Sequence, residues 1–459
     1  MKYWILLLST VSGLIGNDYK FIFNSGMPEN RCDIVFLVKT EEVINAEKKV
    51  GDIWKDTCSV YPLFKRYKNF FNVHLVKSSE LFDDLPKTNM SKWWNNDILM
   101  ARYFADLNAS FSGRDIGVLL RENIESLKGS SQGGAYAAAR LCFIKEYTSS
   151  TFRLFTHEMG HTLGHLSDEY TMRYNYTGRY PANIILKEDS IIFTGHEGRF
   201  TFSMNKWVRW QGYVDPISKI AIDGPYMQYK GKDYPESSLY YRPSSHNTIM
   251  NNQNVQNAFY DAVAREHMIL SIYDFCKVID SASDNNITVN GSDILEVNVI
   301  DEDIIDVVWK LNGEPISNKK YLILKDLNLS KDSNLTLTAW DTALNTDYKT
   351  DDRGGWVRKD SENKLIQTIE YKFDPASEVK KWYECMPIVR GEWRKSCWFG
   401  HFMALDNGWV YHETLKWVYG AASGSGVWFF IADEGWLWTS PELFPYFYSN
   451  NERKWLMFN

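Results

Sequence analysis

The chain has 459 residues, more than one compact domain usually holds and enough for two to four. A hydrophobic fraction of 44% and a charged fraction of 24% are ordinary for a soluble globular protein, and a net charge of −7 gives no reason to expect nucleic acid as a partner. Aromatic residues are in excess, with 18 Trp, 27 Tyr and 25 Phe, and half of the tryptophans follow residue 376.

The N-terminal residues predict a secretory signal peptide over residues 1–16. Lys2 precedes an apolar stretch that ends near Ile15, and the small residues Gly13 and Gly16 suit a cleavage site. The stretch is too short to cross a bilayer, and no later segment has 18 uninterrupted apolar residues. We therefore expect a secreted or extracellular protein, free or held at a cell surface, without a transmembrane anchor.

Six cysteines suit an oxidising compartment, where an even number allows up to three disulfides. Cys385 and Cys397 are close in sequence and far from the others, so the spacing favours a bridge between them. Cys142 lies inside an apolar run, which is typical of a buried free thiol.

Residues 17–277 alternate strand-like and helix-like stretches. Short apolar runs at residues 33–38 and 70–76 predict buried strands, and segment 40–67, with apolar spacing near 3.6, predicts a helix. Residues 115–127 mix a short strand with a helical turn, and a further apolar run leads from Gly133 to Ile144. The alternation predicts an α/β (α+β) catalytic domain with a central twisted sheet.

The remainder of the chain predicts β structure in two parts. Residues 278–375 contain alternating segments at 287–289, 295–299, 306–311 and 335–340, separated by turns such as Asn312-Gly313, which predicts an Ig-like β-sandwich. Residues 376–459 repeat a Gly-Trp-apolar-aromatic theme and predict a small module of β-hairpins. Its aromatic side chains either stack on sugars, giving contact with polysaccharide or a cell surface, or form the core of the hairpins.

The sharpest chemical signal is His157-Glu158-Met159-Gly160-His161. Residues four apart lie on one face of a helix, so both imidazoles can reach one ion. Zinc suits two neutral imidazoles plus one further protein ligand, with water in the open position. Glu158 lies beside the ligands and is the candidate general base. The segment is amphipathic, and buried His and Glu side chains need partners, which argues against two unrelated surface histidines.

The third ligand is less fixed by these residues. Gly164 is expected to end the helix with a positive φ and to turn the chain back toward the metal. In metzincin-type sites a histidine follows, but its position here holds Ser167, a poor zinc ligand. Asp168 is favoured, and Glu169 and His165 are the alternatives. Otherwise Glu169 would accept a hydrogen bond from a ligand imidazole, and His165 would be a helix-end residue.

Residues 157–170, HEMGHTLGHLSDEY, resemble the signature of the immunoglobulin-A-peptidase family of zinc metallopeptidases, in which H-E-x-G-H precedes Leu-x-Asp-Glu-Tyr. The likeness continues from about residue 30 to 360, at segments 32–37, 71–73, 133–136, 241–243, 248–250, 260–266, 308–313 and 355–358. Val38-Lys39-Thr40-Glu41 departs from the family, which has a turn with Gly and Tyr there. The resemblance implies Asp168 as third ligand, Met250 as the apolar floor beneath the metal, and Tyr241 and Arg242 as borders of the substrate cleft.

The sequence therefore predicts a secreted zinc metalloendopeptidase, a hydrolase with one catalytic Zn²⁺. His157, His161 and Asp168 are the expected ligands, and Glu158 is the expected base. The partner would be a protein or peptide substrate, including glycoproteins, and Gly133-Gly134 would open an edge strand that pairs with it. One alternative is a surface- or glycan-binding protein with a non-proteolytic metallopeptidase-like scaffold. Another is exopeptidase or amidase chemistry on the same zinc.

Overall fold

The structure is a computed structural model that describes residues 18–39, 43–78, 114–120, 134–136, 141–144, 148–170, 181–186, 191–194, 201–204, 207–216, 218–224, 226–227, 240–252, 258–285, 294–327, 329, 332–344, 355–372, 381–384, 386–405, 407–423 and 426–458. The predicted signal peptide, Gly133, Cys385 and the predicted strand 287–289 lie outside them. The chain divides into two compact units. The first comprises Met1–Cys276 and Ala343–Asp360, and the second comprises Lys277–Thr342 and Ser361–Asn459.

The described residues form four α-helices and 27 β-strands, so the chain is mixed α/β with mostly β content. The helices are α1 (Ala46–Val60), α2 (Pro62–Arg66), α3 (Thr151–Thr162) and α4 (Ala262–Ile272). The strands of the first unit are β1 (Asp18–Phe23), β2 (Cys32–Lys39), β3 (Phe71–Ser78), β4 (Arg114–Leu120), β5 (Gly134–Tyr136), β6 (Leu141–Ile144), β7 (Ile185–Leu186), β8 (Ile191–Thr194), β9 (Thr201–Met204), β10 (Tyr226–Met227) and β11 (Tyr240–Arg242). None of the described helices is long and apolar enough to span a membrane.

A six-stranded sheet of order β1-β3-β2-β4-β6-β5 underlies the first unit. β3, β2, β4 and β6 run parallel, and the end strands β1 and β5 are antiparallel to their neighbours. Side chains 32–38 of β2 are buried without interruption, as expected for a parallel strand covered on both faces. Phe36 of β2 contacts Phe155 of α3, with ring centroids 5.6 Å apart, so the helix with the histidines packs on this sheet.

The helical structure predicted over residues 40–67 is present over most of the segment but forms two helices, because Pro62 divides it. α1 ends at Val60, Tyr61 is extended (φ −96°, ψ 115°), and α2 begins at Pro62. Proline disfavours the α conformation in the preceding residue, and its own fixed φ suits the first turn of a new helix. The break turns the buried Tyr61 ring toward Phe152 of α3, 6.1 Å away.

The second unit contains two small sheets and one large one. Its strands are β12 (Ile279–Ala282), β13 (Ile294–Val299), β14 (Ile305–Leu311), β15 (Glu314–Ser317), β16 (Tyr321–Ile323), β17 (Leu335–Asp341), β18 (Ile366–Tyr371), β19 (Ile388–Arg390), β20 (Trp393–Ser396), β21 (Gly400–Ala404), β22 (Trp409–His412), β23 (Lys416–Ser423), β24 (Gly426–Ile431), β25 (Gly435–Thr439), β26 (Tyr446–Ser449) and β27 (Lys454–Met457). The small sheets have the orders β12-β13-β16 and β15-β14-β17-β18. Asn312 and Gly313 join β14 to β15 with φ of 53° and 88°, the conformation of a tight hairpin turn.

The C-terminal strands form one nine-stranded antiparallel meander, β19 to β27 in chain order, rather than separate hairpins. One face of this sheet is covered by a hydrophobic core that includes Trp382, Phe399, Phe402 and Phe429. Phe399 stacks on Phe429 with ring centroids 4.7 Å apart and planes 3° from parallel. Part of the aromatic excess is therefore core.

The predicted Cys385–Cys397 bridge is not formed. Cys397 carries a free thiol whose Sγ lies 3.5 Å from the Lys320 carbonyl oxygen, and Cys385 is outside the described residues.

Candidate metal centre

α3 presents His157 and His161 on one face, with ring centroids 4.8 Å apart. Apolar side chains of α3, among them Phe155 and Met159, are buried, so the helix places His157 and Glu158 in the interior as well. Buried imidazoles and carboxylates require specific partners, and those partners define the site.

A backbone carbonyl orients each imidazole. Nδ1 of His157 lies 2.8 Å from the Ile249 oxygen, and Nδ1 of His161 lies 2.7 Å from the Leu166 oxygen. A carbonyl only accepts hydrogen bonds, so each Nδ1 carries the proton in the neutral ring and each Nε2 keeps its lone pair. Metal-binding histidines are commonly fixed in this way.

The turn after α3 brings the third side chain back to the histidines. Positive φ occurs at His165 (46°), not at Gly164 as the sequence predicted. Gly164 is required for space instead, since a Cβ there would clash with Met268 Sδ and lie 3.0 Å from the Gly160 oxygen. The Leu166 N–H donates to that same Gly160 oxygen at 2.9 Å and closes the turn.

Asp168 completes a compact set of three ligand atoms. Its Oδ1 lies 3.2 Å from Nε2 of His157 and 3.2 Å from Nε2 of His161, and the two Nε2 atoms are themselves 3.2 Å apart. Tetrahedral zinc with bonds of about 2.0–2.1 Å separates its N and O ligands by about 3.3 Å. The donor types and spacing therefore fit zinc, with one ligand position left open, as in catalytic sites.

The alternative ligands lie elsewhere. Glu169 is buried, and its carboxylate accepts hydrogen bonds from Asn183 Nδ2 at 3.1 Å and Thr248 Oγ1 at 2.6 Å. His165 is exposed at the left-handed turn. Ser167 is held through its backbone, which exchanges two hydrogen bonds with the Asn183 side chain, so Asn183 contacts both neighbours of Asp168.

Met250 packs against α3 at Gly160. It is fully buried, and a Cβ on Gly160 would clash with its Sδ, which explains a glycine at the fourth position of the motif. Its carbonyl oxygen accepts from the Glu169 N–H at 2.9 Å. The segment around Met250 is thus joined to both the helix and the loop that carries Asp168.

Burial and neighbouring charges together shift three pKa values at the site. Burial raises the pKa of Glu158, and the neighbouring imidazoles offset this only in part. Burial also disfavours the charged forms of His161 and Asp168, but their mutual hydrogen bond outweighs it. The pKa of His161 is raised to about 9, and that of Asp168, which also pairs with His157, falls well below its usual range. Oε2 of Glu158 is buried without a hydrogen-bond partner among the described residues.

The other predicted site residues are not all brought to the ligands. Tyr241 lies in a hydrophobic cluster with Trp207, Trp210, Ile222, Ala262 and Val263. Arg242 donates to the carbonyl oxygens of Ser245 and His246, at 3.4 and 3.1 Å. Gly134 lies in the end strand β5, opposite Phe143 of β6. The predicted cleft border thus coincides with a packed core at Tyr241.

Several supporting groups carry no sequence signal. The orienting oxygens of Leu166 and Ile249 belong to the backbone, and Asn183 lies 15 residues beyond Asp168 in a stretch without a motif. Tyr170 ends the motif, and its ring stacks on His157 with centroids 6.3 Å apart and planes 18° from parallel. Tyr170 was visible in the pattern, but its contact with His157 was not.

No model of a protein family matches the chain, and no curated protein is significantly similar to it in sequence. The function is therefore argued from the site.

Proposed function

We propose that the chain is a zinc-dependent metalloendopeptidase with a metzincin-like catalytic domain and an Ig-like β-sandwich. The observation that carries this proposal is the triangle of His157 Nε2, His161 Nε2 and Asp168 Oδ1, each side 3.2 Å, beside a buried carboxyl group with an unpartnered oxygen. Two imidazole nitrogens that point their lone pairs at one place repel each other unless a proton or a cation lies between them, and the carboxylate oxygen of Asp168 adds a third donor for a cation.

The protein groups divide the work of hydrolysis. When bound, zinc supplies Lewis acidity that acidifies water and polarises a carbonyl. Glu158 accepts the proton of the attacking water and delivers it to the leaving amine nitrogen. A raised pKa suits this task, since a base that holds its proton more firmly can also return it as an acid.

The sheet offers a place for an extended substrate. β5 is the end strand of the six-stranded sheet, and among the described strands it pairs only with β6. Its other edge can form main-chain hydrogen bonds with an extended peptide. Such pairing uses only the peptide backbone, so it accepts any sequence, and specificity depends on contacts with the side chains of the peptide. The substrate class is therefore a protein or peptide, glycoproteins included, and export of the enzyme follows from the predicted signal peptide.

The test compares wild type with Glu158→Ala. Zinc content is measured by mass spectrometry, and cleavage is measured on an unfolded general protein substrate and an internally quenched peptide. We expect about one zinc per chain in both proteins and cleavage by wild type alone. Glu362→Ala removes an exposed glutamate and serves as the control that keeps both properties. Absence of zinc from wild type, or cleavage that survives in Glu158→Ala, contradicts the proposal.

The products separate the related reactions. Internal cleavage of the peptide identifies an endopeptidase, whereas release of terminal residues or of ammonia alone indicates exopeptidase or amidase chemistry. Zinc binding without any cleavage would favour the alternative of a binding protein on a metallopeptidase-like scaffold. The aromatic C-terminal sheet is the observation behind that alternative.

A further inference from the structure

The nine-stranded sheet has two aromatic faces, and only one of them is core. The register of the strands assigns each side chain to a face. Phe402, Val410, Val418, Phe429 and Leu437 point to the covered face and are buried. The residues between them belong to the opposite face, and none of those in the rows described next is buried.

Three cross-strand rows occupy this opposite face, which we call the outer face. The first row contains Trp393, Met403, Tyr411 and Trp417. The second row contains Trp409, Tyr419, Phe430 and Trp436. The third row contains Trp428, Trp438, Tyr448 and Trp455. Seven of the 18 tryptophans of the chain thus lie on one surface.

All of these side chains remain partly exposed in the fold. Trp417, Trp436 and Trp455, one from each row, are 48%, 40% and 49% exposed. Neighbouring rings meet edge to face, as Trp409 and Tyr419 do at 5.8 Å and Tyr448 and Trp455 at 5.5 Å, so ring faces remain open to solvent. A soluble protein rarely exposes so continuous an aromatic surface unless the surface binds something.

The polar atoms of the outer face are also available. Some buried tryptophans donate their indole N–H to the protein, as Trp210 does to Glu266 at 2.8 Å and Trp309 to the Lys319 oxygen at 2.8 Å. Others, such as Trp54 and Trp398, have no acceptor among the described residues. The seven outer indoles have no such acceptor among the described residues. The face therefore combines apolar rings with unused N–H and phenol O–H groups.

Charge narrows the choice of ligand. None of the twelve residues named in the three rows is charged, and Arg390, the cross-strand partner of Trp393, follows at the end of the first row. Anionic polymers and anionic membranes are held by clustered basic residues, and a single arginine at the end of one row is not such a cluster. The chemistry of the outer face matches an uncharged ligand with two features. Its apolar C–H faces would stack on the indole rings, and its hydroxyl oxygens would accept hydrogen bonds from the indole N–H groups.

We propose that the outer face of the nine-stranded sheet is a binding site for a neutral polysaccharide. Sugar rings stack on the aromatic rows, and their hydroxyl oxygens accept from the indole N–H groups. Rows that cross several strands suit a polymer of repeating units better than a single small sugar. This site is independent of the zinc site and would tether the enzyme to a glycan-coated surface.

The experiment measures retention of the full chain on amylose, mannan, microcrystalline cellulose and chitin. We compare wild type with the triple variant Trp417→Ser, Trp436→Ser, Trp455→Ser and with each single variant. We expect wild type to bind at least one of the four, and the triple variant to bind at least tenfold more weakly, since one aromatic contact contributes about twofold to tenfold. The control Ile44→Ser, Val208→Ser, Val214→Ser removes apolar side chains that are 70%, 60% and 55% exposed in the first unit and should bind as wild type does.

Three results overturn the proposal. The first is that none of the four polysaccharides retains wild type. The second is that wild type and correctly folded single variants are retained equally. Sedimentation provides the third: a wild-type dimer that the substitutions convert to a monomer would show that a second copy covers the face. All three readouts are independent of zinc and of proteolysis, so they leave the proposed peptidase function untouched.

Discussion

Two regions of the first unit bury a glutamate on a helix, and they treat it in opposite ways. Glu266 on α4 and Glu158 on α3 are both about 1% exposed. The Glu266 carboxylate is surrounded by donors, whereas Oε2 of Glu158 has no hydrogen-bond partner among the described residues. Since an unpaired buried carboxyl oxygen is costly, the contrast sets a carboxylate that stabilises the fold against the one that we propose as general base.

The donors to Glu266 come from two distant parts of the chain. Arg209 Nε donates at 2.9 Å and Trp210 Nε1 at 2.8 Å, and the backbone N–H groups of Arg358 and Lys359 donate at 2.7 and 2.9 Å. The Arg358 guanidinium also lies 4.2 Å from the centre of the Trp210 ring. These contacts fasten the segment Ala343–Asp360 to the first unit, although its neighbours in sequence belong to the second.

Glu266→Gln tests the structural side of the comparison and should have the largest effect. The amide removes the negative charge that pairs with Arg209. Its N–H₂ group would also face N–H donors such as that of Trp210 rather than an acceptor. We expect the free energy of unfolding to fall by about 3–5 kcal/mol, the usual cost of breaking a buried ion pair. Denaturant unfolding measures it, with Glu362→Gln as the exposed control, for which we expect a change within about 0.5 kcal/mol. A loss of unfolding free energy below about 1 kcal/mol would show that the contacts of Glu266 contribute little to the stability of the fold.

Glu296 of the second unit extends the comparison to a carboxylate with fewer donors. It is buried and accepts from Ser396 Oγ at 3.0 Å and from the Cys397 N–H at 2.7 Å. Burial raises its pKa to about 7, and these hydrogen bonds offset the rise only partly. The folded protein therefore keeps a proton that the unfolded chain releases near its ordinary pKa of 4.5, so stability from this group is present below pH 4.5 and is lost as pH rises through 7.

The expected loss from Glu296 between pH 5 and pH 8 is about 2–3 kcal/mol of unfolding free energy. Glu296→Gln carries no titrating proton, so its stability should decline less over the same range. Denaturant titrations of both proteins at pH 5, 6, 7 and 8 measure the difference. Parallel pH profiles would show that the donors to Glu296 already stabilise its charged form.

Gly160→Ala tests how closely the pocket of Glu158 is packed. A Cβ at this position would clash with Met250 Sδ and lie 3.2 Å from the Tyr260 ring. We expect a loss of about 1–3 kcal/mol and weaker zinc binding, because Met250 can move only by disturbing α3. Gly51→Ala in α1 is the matched helical control. Its Cβ would meet only Ile22, at 3.9 Å, and should stabilise the protein by up to about 1 kcal/mol.

The sequence predicted the parts of the site that depend on local geometry. Helical spacing alone places His157 and His161 on one face, and the motif ending singled out Asp168, which the structure brings to both imidazoles. The apolar runs that became β2 and β3 were recognisable because parallel strands are buried on both faces.

The remainder depends on contacts that sequence does not encode locally. The sequence predicted the positive φ of the turn after α3 at Gly164, because glycine favours that conformation. In the structure, Gly164 is required because a Cβ would clash with Met268, and the left-handed residue is His165. Asn183 is a loop residue without a motif, and its bonds to both sides of Asp168 exist only in the folded chain. The aromatic C-terminal residues divide into core and outer face only through the register of nine strands.

Glu158→Gln tests the functional side of the comparison and should change stability least. The amide keeps the shape of the side chain. It also removes a carboxyl group that is costly to ionise, because burial raises its pKa. We therefore expect the unfolding free energy of the metal-free protein to stay the same or rise by up to about 1 kcal/mol, while peptide cleavage by the zinc-loaded protein falls by about 10²–10⁴-fold. Denaturant unfolding after chelation and a quenched-peptide assay measure the two effects. A stability loss as large as that of Glu266→Gln would show that Glu158, like Glu266, stabilises the fold. Sites of chemistry trade stability for function, so a variant that loses activity without losing stability supports a role for Glu158 in proton transfer.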